Sequence, residues 1–368
     1  MTRTLSTTPT QDGFRMPAEW GNHAGTWMIW PERPDNWRNG AKPAQAAFAQ
    51  VATAIAAYEP VTMCVSPAQY LNARHALPVS VRLVEMTSND SWIRDCGPSF
   101  VTNSNHEVRG VDWRFNAWGG LQDGLYSPWD QDDLVGEKVL EMERTLRYAP
   151  PIVLEGGSIE VDGEGTLMVT MQCLLNKNRN PDLSKHDIET ALEAYLGVTK
   201  IIWLDRGVFN DETDGHEDNL ARFVAPGRVV LTWTDDHEDP QYEISQDAYL
   251  RLSKAVDAHG RALEIIKIHQ PGPLFMKGEE AAGVDIIDGT EPRTAGLRLA
   301  ASYVNFYICN GALIVPELDP GFDSHAASTL KLACPHHDIV MVPAREILLG
   351  GGNIHCITQQ QPMGFAPG

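Results

Sequence analysis

Residues 184–204, with the sequence SKHDIETALEAYLGVTKIIWL, contain the most complete structural unit in this chain. Ser184 and Asp187 form an S-x-x-D capping box, which predicts that a helix begins at this point. Apolar side chains follow at helical spacing, and Gly197 is a typical residue for the end of a helix. The apolar run IIWL comes soon afterwards and predicts a short buried strand. The segment therefore predicts an amphipathic helix that leads directly into a strand.

The same order of helix and strand recurs in four other parts of the chain. The predicted helices cover residues 43–58, about 132–147, about 245–259 and about 324–334, and the strands that follow them cover 61–65, 152–154, 265–268 and 339–342. Hairpins with Asp-Gly, Pro-Gly or Asn-Gly turns are predicted at 159–169, 220–233 and 303–315. Five such units predict a closed, cyclic α/β array. The alternative is an ordinary mixed α/β domain in which the spacing is fortuitous.

The composition is that of a folded protein with an excess of acidic residues. Of the 368 residues, 43% are hydrophobic and 21% are charged, which excludes a disordered or fibrous chain. The 29 Lys and Arg residues against 49 Asp and Glu residues give a formal net charge of −20. A field of this sign repels nucleic acids and anionic membrane surfaces, so we expect neither as a partner, whereas a small cation is attracted.

Nothing in the sequence predicts transport into or across a membrane. The chain has no run of 18 apolar residues, and residues 1–20 lack the apolar core of a signal peptide. The cysteines are scattered and include no CxxC pair, which favours free thiols in a reducing compartment. We therefore expect a cytoplasmic protein.

Four polar segments interrupt the apolar pattern, each where a strand meets a glycine turn. They cover residues 88–98, 154–158, 214–219 and 350–358. In a cyclic array, equivalent positions of successive units converge on the axis, so we expect these segments to form one central site. The residues in them that can carry chemistry are Asp95, Glu155, His216 and Cys356.

Cys356 is the leading candidate for a nucleophile. It follows a Gly-Gly-Gly turn, which lets the backbone approach a ligand closely. Cys96 is the rival, but strand alternation would turn it away from the face that Asp95 uses. By the same alternation, His355 is not expected to be the partner of Cys356.

His216 and Asp218 form a second candidate group. They are two residues apart, so in a strand both side chains would share one face. A histidine and a carboxylate on one face suit acid–base catalysis or a metal. The chain has no HExxH, CxxC or HxH motif, which disfavours zinc. It also lacks GxSxG, P-loop and GxGxxG motifs, which disfavours serine hydrolases, NTPases and dinucleotide enzymes.

Three further residues are candidates for the site. Asp95 either binds a ligand, pairs with the neighbouring Arg94 or caps a turn, and Asp90 competes with it for the ligand role. Glu155 directly follows an apolar strand, where a buried carboxylate needs a cationic or hydrogen-bonding partner. Trp92 is either a core residue or a wall that stacks on a cation.

These motifs resemble those of the agmatine deiminases, which belong to the guanidine-modifying pentein superfamily. The resemblance extends over nearly the whole chain and is carried by GFRMPAE (13–19), WPERPDNW (30–37), NDSWIRD (89–95), GVDW (110–113), FNAWGG (115–120), LEGGS (154–158) and GGGNIHCITQQ (350–360). It implies a fivefold pseudosymmetric α/β propeller of ββαβ modules, the pentein fold, with residues 1–368 as a single domain. It also implies a homo-oligomer and neither a cofactor nor a metal.

The resemblance implies hydrolysis of agmatine to N-carbamoylputrescine and ammonia, a step of arginine-derived polyamine metabolism. Cys356 would attack the guanidinium carbon and form an S-alkylthiouronium. His216 would act first as an acid and then as a base, held by Glu155. Asp95 and Asp218 would each bind the guanidinium through N–H bonds.

At the far end of the pocket, the resemblance places Glu212 against the distal ammonium of agmatine and Trp92 as a wall. An arginine deiminase or a dimethylarginine hydrolase is the nearest alternative, but an α-carboxylate would require an arginine there rather than Glu212. Two other classes stay open: a polyamine-binding protein without turnover, and a metal hydrolase built on His216 and Asp218.

Overall fold

The computed structural model describes residues 3–365, so residues 1–2 and 366–368 of the expected single domain lie outside the described part. In this part, sixteen strands form five sheets. The strands are β1 (His23–Ile29), β2 (Val61–Val65), β3 (Arg82–Glu85), β4 (Ser99–Thr102), β5 (Val108–Val111), β6 (Arg147–Tyr148), β7 (Glu160–Val161), β8 (Thr166–Thr170), β9 (Lys200–Leu204), β10 (Ala221–Ala225), β11 (Arg228–Trp233), β12 (Glu264–His269), β13 (Tyr307–Cys309), β14 (Ala312–Glu317), β15 (Asp338–Pro343) and β16 (Gln359–Pro362).

Twelve α-helices connect these strands within residues 3–365. They are α1 (Lys42–Ile55), α2 (Tyr70–Ala76), α3 (Ile93–Cys96), α4 (Gly120–Asp123), α5 (Val135–Met142), α6 (Met171–Leu174), α7 (Lys185–Leu196), α8 (Glu217–Leu220), α9 (Gln241–Lys254), α10 (Gly278–Ala281), α11 (Asp323–Ala333) and α12 (Arg345–Leu348). None of the helices in this range combines the length and the apolar character that crossing a membrane requires.

Each sheet repeats one arrangement: an antiparallel pair, then a parallel strand that the chain reaches through a helix. Four sheets have the orders β4-β5-β6, β7-β8-β9, β10-β11-β12 and β13-β14-β15. The fifth has the order β16-β1-β2-β3, in which β16 is antiparallel to β1 and β2 is parallel to it. The last strand of the chain thus completes the first module, which joins the two ends. The predicted five-unit cyclic α/β architecture is confirmed.

The third unit folds as its sequence predicts. Ser184 Oγ accepts a bond from Asp187 N at 3.2 Å, and the Asp187 carboxylate accepts one from Ser184 N at 2.9 Å. These bonds satisfy N–H groups that the first turn of α7 leaves open. Ile188, Leu192 and Leu196 are buried against the sheet, and Gly197 ends the helix at φ +68°. The capping box and the apolar face therefore position α7 and, through it, β9.

The second unit differs from its prediction. Its helix α5 ends at Met142 rather than near residue 147, and its strand is β6 rather than 152–154. Tyr148 pairs with Val111 of β5, whereas Val153 forms only an isolated bridge. The two prolines at 150–151 have no N–H to donate, so the ladder ends before them.

Candidate active site

Five short segments, one from each module, meet at the centre of the array. Each lies directly before the first strand of an antiparallel pair: before β4, β7, β10, β13 and β16. In chain order they contribute Asp95, Glu155 with Gly157, His216 with Asp218, Asn305, and Cys356. The repeat thus brings together the four segments that the sequence singled out, and it adds a fifth.

The segments are helical turns and loops rather than strands. Asp95 lies in α3, His216 immediately precedes α8, and Cys356 lies in a turn before β16. The directions predicted for Cys96, for His355 and for the His216–Asp218 pair rest on strand alternation. That premise is wrong, because none of these residues lies in a strand. Side chains in a helical turn are distributed by the helical period, so alternation does not apply. Cys96 is nevertheless absent from the cavity wall, whereas Cys356 belongs to it.

The segments enclose a cavity of about 520 Å³, its open mouth included. Asp95, His216 and Cys356 line its inner end, together with Trp92 and Trp118. All five side chains are buried. Buried side chains around such a cavity exclude most water from a small molecule bound there.

Glycines let the chain approach this cavity. A Cβ on Gly352 would lie 2.5 Å from the ring of Trp92, and one on Gly351, at φ +106°, would lie 2.6 Å from Glu212 Oε2. A Cβ on Gly157 would lie 2.5 Å from His216 Nδ1 and 2.9 Å from Asp95 Oδ1. The close approach that the glycine turn predicted is therefore present, and Gly157 lies against both His216 and Asp95.

Asp95 is a buried carboxylate whose hydrogen bonds fix its orientation. Trp118 Nε1 donates to Oδ2 at 3.0 Å, and Gly157 N donates to Oδ1 at 2.9 Å. Burial raises the pKa of Asp95 to about 6; the charge of His216 opposes this shift, and the Asp218 carboxylate adds to it. Asp95 is thus anionic near neutral pH, and its carboxylate becomes protonated when the pH falls only slightly below neutral.

Asp218 is fully buried but is held as an anion. His355 Nδ1 lies 2.7 Å from its Oδ2, while its Oδ1 has no hydrogen-bond partner among residues 3–365. Burial by itself would raise the pKa of Asp218, but the hydrogen bond and charge of His355 hold it below its ordinary value. Asp218 does not line the cavity wall; its Oδ2 lies 3.7 Å from Cys356 Sγ.

Cys356 is a neutral thiol in the unliganded site. Burial raises its pKa well above the ordinary value, and the Asp218 and Asp95 carboxylates raise it further. Asn305 Nδ2 lies 3.2 Å from Sγ and orients the sulfur. Sequence reasoning missed Asn305, although it precedes the hairpin of the fifth unit at the position where the other units carry their polar residues.

His216 lies between two carboxylates. Its Nδ1 is 3.8 Å from Asp95 Oδ2, and its Nε2 is 3.8 Å from Glu155 Oε2, which are charge contacts rather than hydrogen bonds. Burial would lower the pKa of His216, but Asp95, together with Cys173 and Glu155, holds it well above the ordinary value. The unliganded site therefore pairs a protonated imidazolium with a neutral thiol.

Glu155 lies behind His216, outside the cavity wall. Its partner is Arg179, whose Nε donates to Oε1 at 2.6 Å with both side chains fully buried. Burial opposes ionisation, yet the charge of Arg179 lowers the pKa of Glu155 to about 2. The expectation that Glu155 needs a cationic partner is correct. Arg179 itself, within a polar loop, gave no signal in the sequence.

One group in the described part of the chain has the residue types of a metal site: Glu155, Cys173 and His216, whose ligand atoms lie within 4.8 Å of one another. It differs from the His216–Asp218 pair on which the metal alternative was built. The guanidinium of Arg179 already neutralises Glu155 and would repel a cation at this position. The group therefore suits the placement of His216 better than the binding of a metal ion.

Glu212 lines a more exposed part of the cavity wall and is partly neutralised. Glu212 Oε1 pairs with Arg293, and its Oε2 has no hydrogen-bond partner in the part of the chain that the structure describes. Arg293 also donates to Asn36 Oδ1 at 2.8 Å and to Gly350 O at 2.7 Å. Arg293 was not foreseen from the sequence. It positions Glu212 and leaves one carboxylate oxygen open.

Trp92 and Asp90 have different roles in the cavity wall: Trp92 forms its surface, and Asp90 holds Trp92 in place. Trp92 lines the cavity and donates through Nε1 to Asp90 Oδ2 at 3.1 Å. Asp90 also accepts bonds from Trp37 Nε1 at 2.7 Å and from Asn36 Nδ2 at 3.0 Å. Because these donors occupy both oxygens of Asp90, its role is to hold the wall, and Asp95 is the better-placed ligand of the two.

Comparison with known proteins identifies close relatives. Residues 15–362 match the family model of the Porphyromonas-type peptidyl-arginine deiminases. The chain is 58% identical to an agmatine deiminase of Pseudomonas aeruginosa strain LESB58 over 97% of this chain and 98% of that protein. It is 57% identical to an agmatine deiminase of Pseudomonas syringae pv. tomato over 98% and 99% of the two chains. A solved agmatine deiminase of Enterococcus faecalis is 50% identical and superimposes with a TM-score of 0.96 over 98% and 99%.

Proposed function

The chain belongs to the Porphyromonas-type peptidyl-arginine deiminase family, and we propose that it hydrolyses agmatine to N-carbamoylputrescine and ammonia. One observation carries this assignment: the cavity has anionic groups at both ends and a thiol at one of them. Asp95 and Cys356 line the inner end, whereas Glu212 with its open oxygen lies at the outer end. Agmatine has a matching charge at each end, a guanidinium and an ammonium.

Binding of the guanidinium prepares the site for the first step. In this proposal Asp95 and Asp218 accept its N–H bonds and balance its charge, for which Asp218 Oδ1 is still free. The bound cation lowers the pKa of the adjacent Cys356 thiol, and the thiol proton passes to solvent. The ionised nucleophile thus forms only when a cationic substrate is present.

The first step replaces ammonia by sulfur. The Cys356 thiolate attacks the central guanidinium carbon, and an S–C bond and a tetrahedral adduct form. His216, protonated in the unliganded site, donates its proton to one NH₂ group. The C–N bond then breaks, ammonia leaves, and an S-alkylthiouronium remains on Cys356.

The second step returns the thiolate. Water attacks the thiouronium carbon while His216, now neutral, accepts one of its protons. The C–S bond breaks and N-carbamoylputrescine leaves. The other water proton is taken up by ammonia as ammonium, so charge and atoms balance. Glu155 and Arg179 act through His216 in this proposal, because Glu155 is paired with Arg179 and lies 3.8 Å from His216 Nε2.

A substrate with an α-carboxylate fits the outer end less well. Such a group would face the open oxygen of Glu212 and be repelled by it. Arg293 is close, but its guanidinium already donates to Glu212, Asn36 and Gly350. Arginine and methylarginines are therefore expected to be poor substrates.

The substrate assignment is tested on a panel of guanidines. Purified protein is incubated with agmatine, arginine and dimethylarginine, with and without a chelator, and ammonia and ureido products are measured. We expect turnover of agmatine that the chelator leaves unchanged. Turnover of arginine without agmatine would overturn the substrate, binding without turnover would favour a polyamine-binding protein, and loss of activity with chelator would favour a metal hydrolase.

Glu212→Gln is expected to raise KM for agmatine about tenfold or more and to change kcat much less, because a charge-assisted bond to the ammonium is lost. Steady-state kinetics are measured with agmatine and with n-butylguanidine, which has the same guanidinium and no ammonium. The substitution should leave KM for n-butylguanidine nearly unchanged. An equal rise for both guanidines would place Glu212 outside the recognition of the distal group.

The pH profile depends on Asp95. Its carboxyl must be ionised to bind a guanidinium, and burial raises its pKa to about 6. The ionised fraction falls as the pH drops, so kcat/KM for agmatine should fall about tenfold per pH unit below about 6. Initial rates at low agmatine concentration over the acid range measure this limb. A value of kcat/KM that stays constant well below that pH would contradict the role of Asp95.

Two expectations from the sequence are kept as part of the proposal: a homo-oligomer and a cytoplasmic location. Analytical ultracentrifugation of the purified protein tests the first, and fractionation of cells that express the chain tests the second.

A further inference from the structure

His355 is buried between two carboxylates, those of Asp218 and Glu19. Its Nδ1 lies 2.7 Å from Asp218 Oδ2, and its Nε2 lies 2.8 Å from Glu19 Oε2. An ionised carboxylate has no proton to donate, so it acts only as a hydrogen-bond acceptor. Both ring nitrogens of His355 therefore act as donors. A ring that donates to two ionised carboxylates carries a proton on each nitrogen and is cationic.

The row of charges continues beyond Glu19. Arg222 Nη2 lies 2.7 Å from Glu19 Oε2, and Arg94 Nη2 lies 3.6 Å from the same oxygen. Burial by itself would raise the pKa of Glu19, but Arg222, His355 and Arg94 hold it well below the ordinary value. Anion and cation thus alternate from Asp218 inward. Each charge is compensated although every member is at most 5% exposed.

We propose that His355 is a positioning residue that keeps Asp218 ionised and fixes its carboxylate plane for the guanidinium. The inference rests on the proposed function and deepens it. A planar ring with donors on two sides can hold Asp218 and Glu19 at once. Asp218 Oδ2 is thereby occupied, and Oδ1 is left as the open acceptor.

Other groups also act on Asp218, and His355 is distinguished from them by its direct hydrogen bond. The ionisable groups around Asp218 and His355 are His216, Arg222, Arg94, Asp95, Asp211, Glu217, Glu160, Glu19 and Cys356. Of these, the cations His216 and Arg222 act on Asp218 through space only. Without His355, burial and the neighbouring carboxylates would favour the neutral acid.

The test is His355→Gln, with kcat/KM for agmatine measured across the pH range. Without the charge and hydrogen bond of His355, burial raises the pKa of Asp218 above its ordinary value; for a fully buried carboxyl this effect reaches about 3–5 units. Asp218 then titrates above Asp95 and sets the acid limb, which should move to higher pH. Near neutral pH, kcat/KM should fall about tenfold or more, mainly through KM, and the deficit should shrink as the pH rises. A merely structural role would lower activity equally at every pH.

His23→Gln is the matched control, because His23 is equally buried, lies 3.1 Å from Glu59 and contacts Glu19 at the backbone oxygen rather than at the carboxylate. It should lower the Tm without moving the acid limb. Glu19→Gln, which removes the second anchor of His355, should move the limb in the same direction as His355→Gln by a smaller amount.

A second measurement needs no turnover. The ring ¹⁵N signals of His355 in wild-type protein, assigned by their loss in His355→Gln, should be those of an imidazolium at neutral pH. A neutral ring, or an unmoved acid limb in a folded His355→Gln variant, overturns the inference. If wild-type protein does not hydrolyse agmatine, the proposed function fails, and the ¹⁵N spectrum still decides the state of His355.

Discussion

Cys356→Ser is expected to lower kcat for agmatine by about 10⁴-fold or more, the order of loss seen when a covalent nucleophile is removed. A serine hydroxyl has nearly the same shape but is far harder to ionise. The guanidinium charge that is sufficient to ionise the thiol is insufficient to ionise the hydroxyl. The side chain is only 6% exposed, and its neighbours are already shaped around a small polar group. The fold should therefore be kept.

The measurement combines kcat with the far-UV circular dichroism spectrum and the Tm. Cys96→Ser is the control, since Cys96 is equally buried but is absent from the cavity wall. It should retain most of the activity. Near wild-type turnover in Cys356→Ser, together with loss of turnover in Cys96→Ser, would identify Cys96 as the nucleophile. Acid-quenched wild-type enzyme should also carry the thiouronium on Cys356 by mass spectrometry.

Gly157→Ala is expected to lower kcat/KM for agmatine by about 10²-fold or more, because displacing a reacting group by 1 Å has an effect of that order. The added Cβ would lie 2.5 Å from His216 Nδ1, 2.9 Å from Asp95 Oδ1 and 3.1 Å from Asp218 Oδ2. One methyl group would thus displace the proton donor and both carboxylates. Overpacking of this kind destabilises a fold by about 1–3 kcal/mol, so the protein should remain folded.

Gly278→Ala is the matched control for this substitution. A Cβ at Gly278 meets nothing within 4 Å, and its backbone is outside the left-handed region. The control should keep wild-type kinetics. Steady-state kinetics and thermal melts on both variants separate loss of activity from loss of the fold. Wild-type kcat/KM in Gly157→Ala would mean that His216 and Asp95 do not work in the geometry described.

The sequence predicts the modules better than it predicts how the chain closes. The capping box at Ser184 and the apolar face of α7 act within one helix. The helix could therefore be predicted from its own residues alone. Strand β16 has the sequence QQQP, with no apolar alternation to reveal it. It pairs with β1, from the other end of the chain, and that pairing depends on the ring being complete.

The sequence by itself determined the five-unit α/β architecture and named Asp95, Glu155, His216, Asp218, Trp92 and Cys356 as candidates, while Glu212 was named only by the resemblance to the agmatine deiminases. It could do so because periodicity, turn residues and motif spacing are local properties. Only the tertiary structure decided the partners: Arg179 for Glu155, Arg293 for Glu212, and His355 for Asp218. Protonation states followed from those partners, because the charge of a buried group depends on what surrounds it in space. Residues far apart in the chain supply that environment.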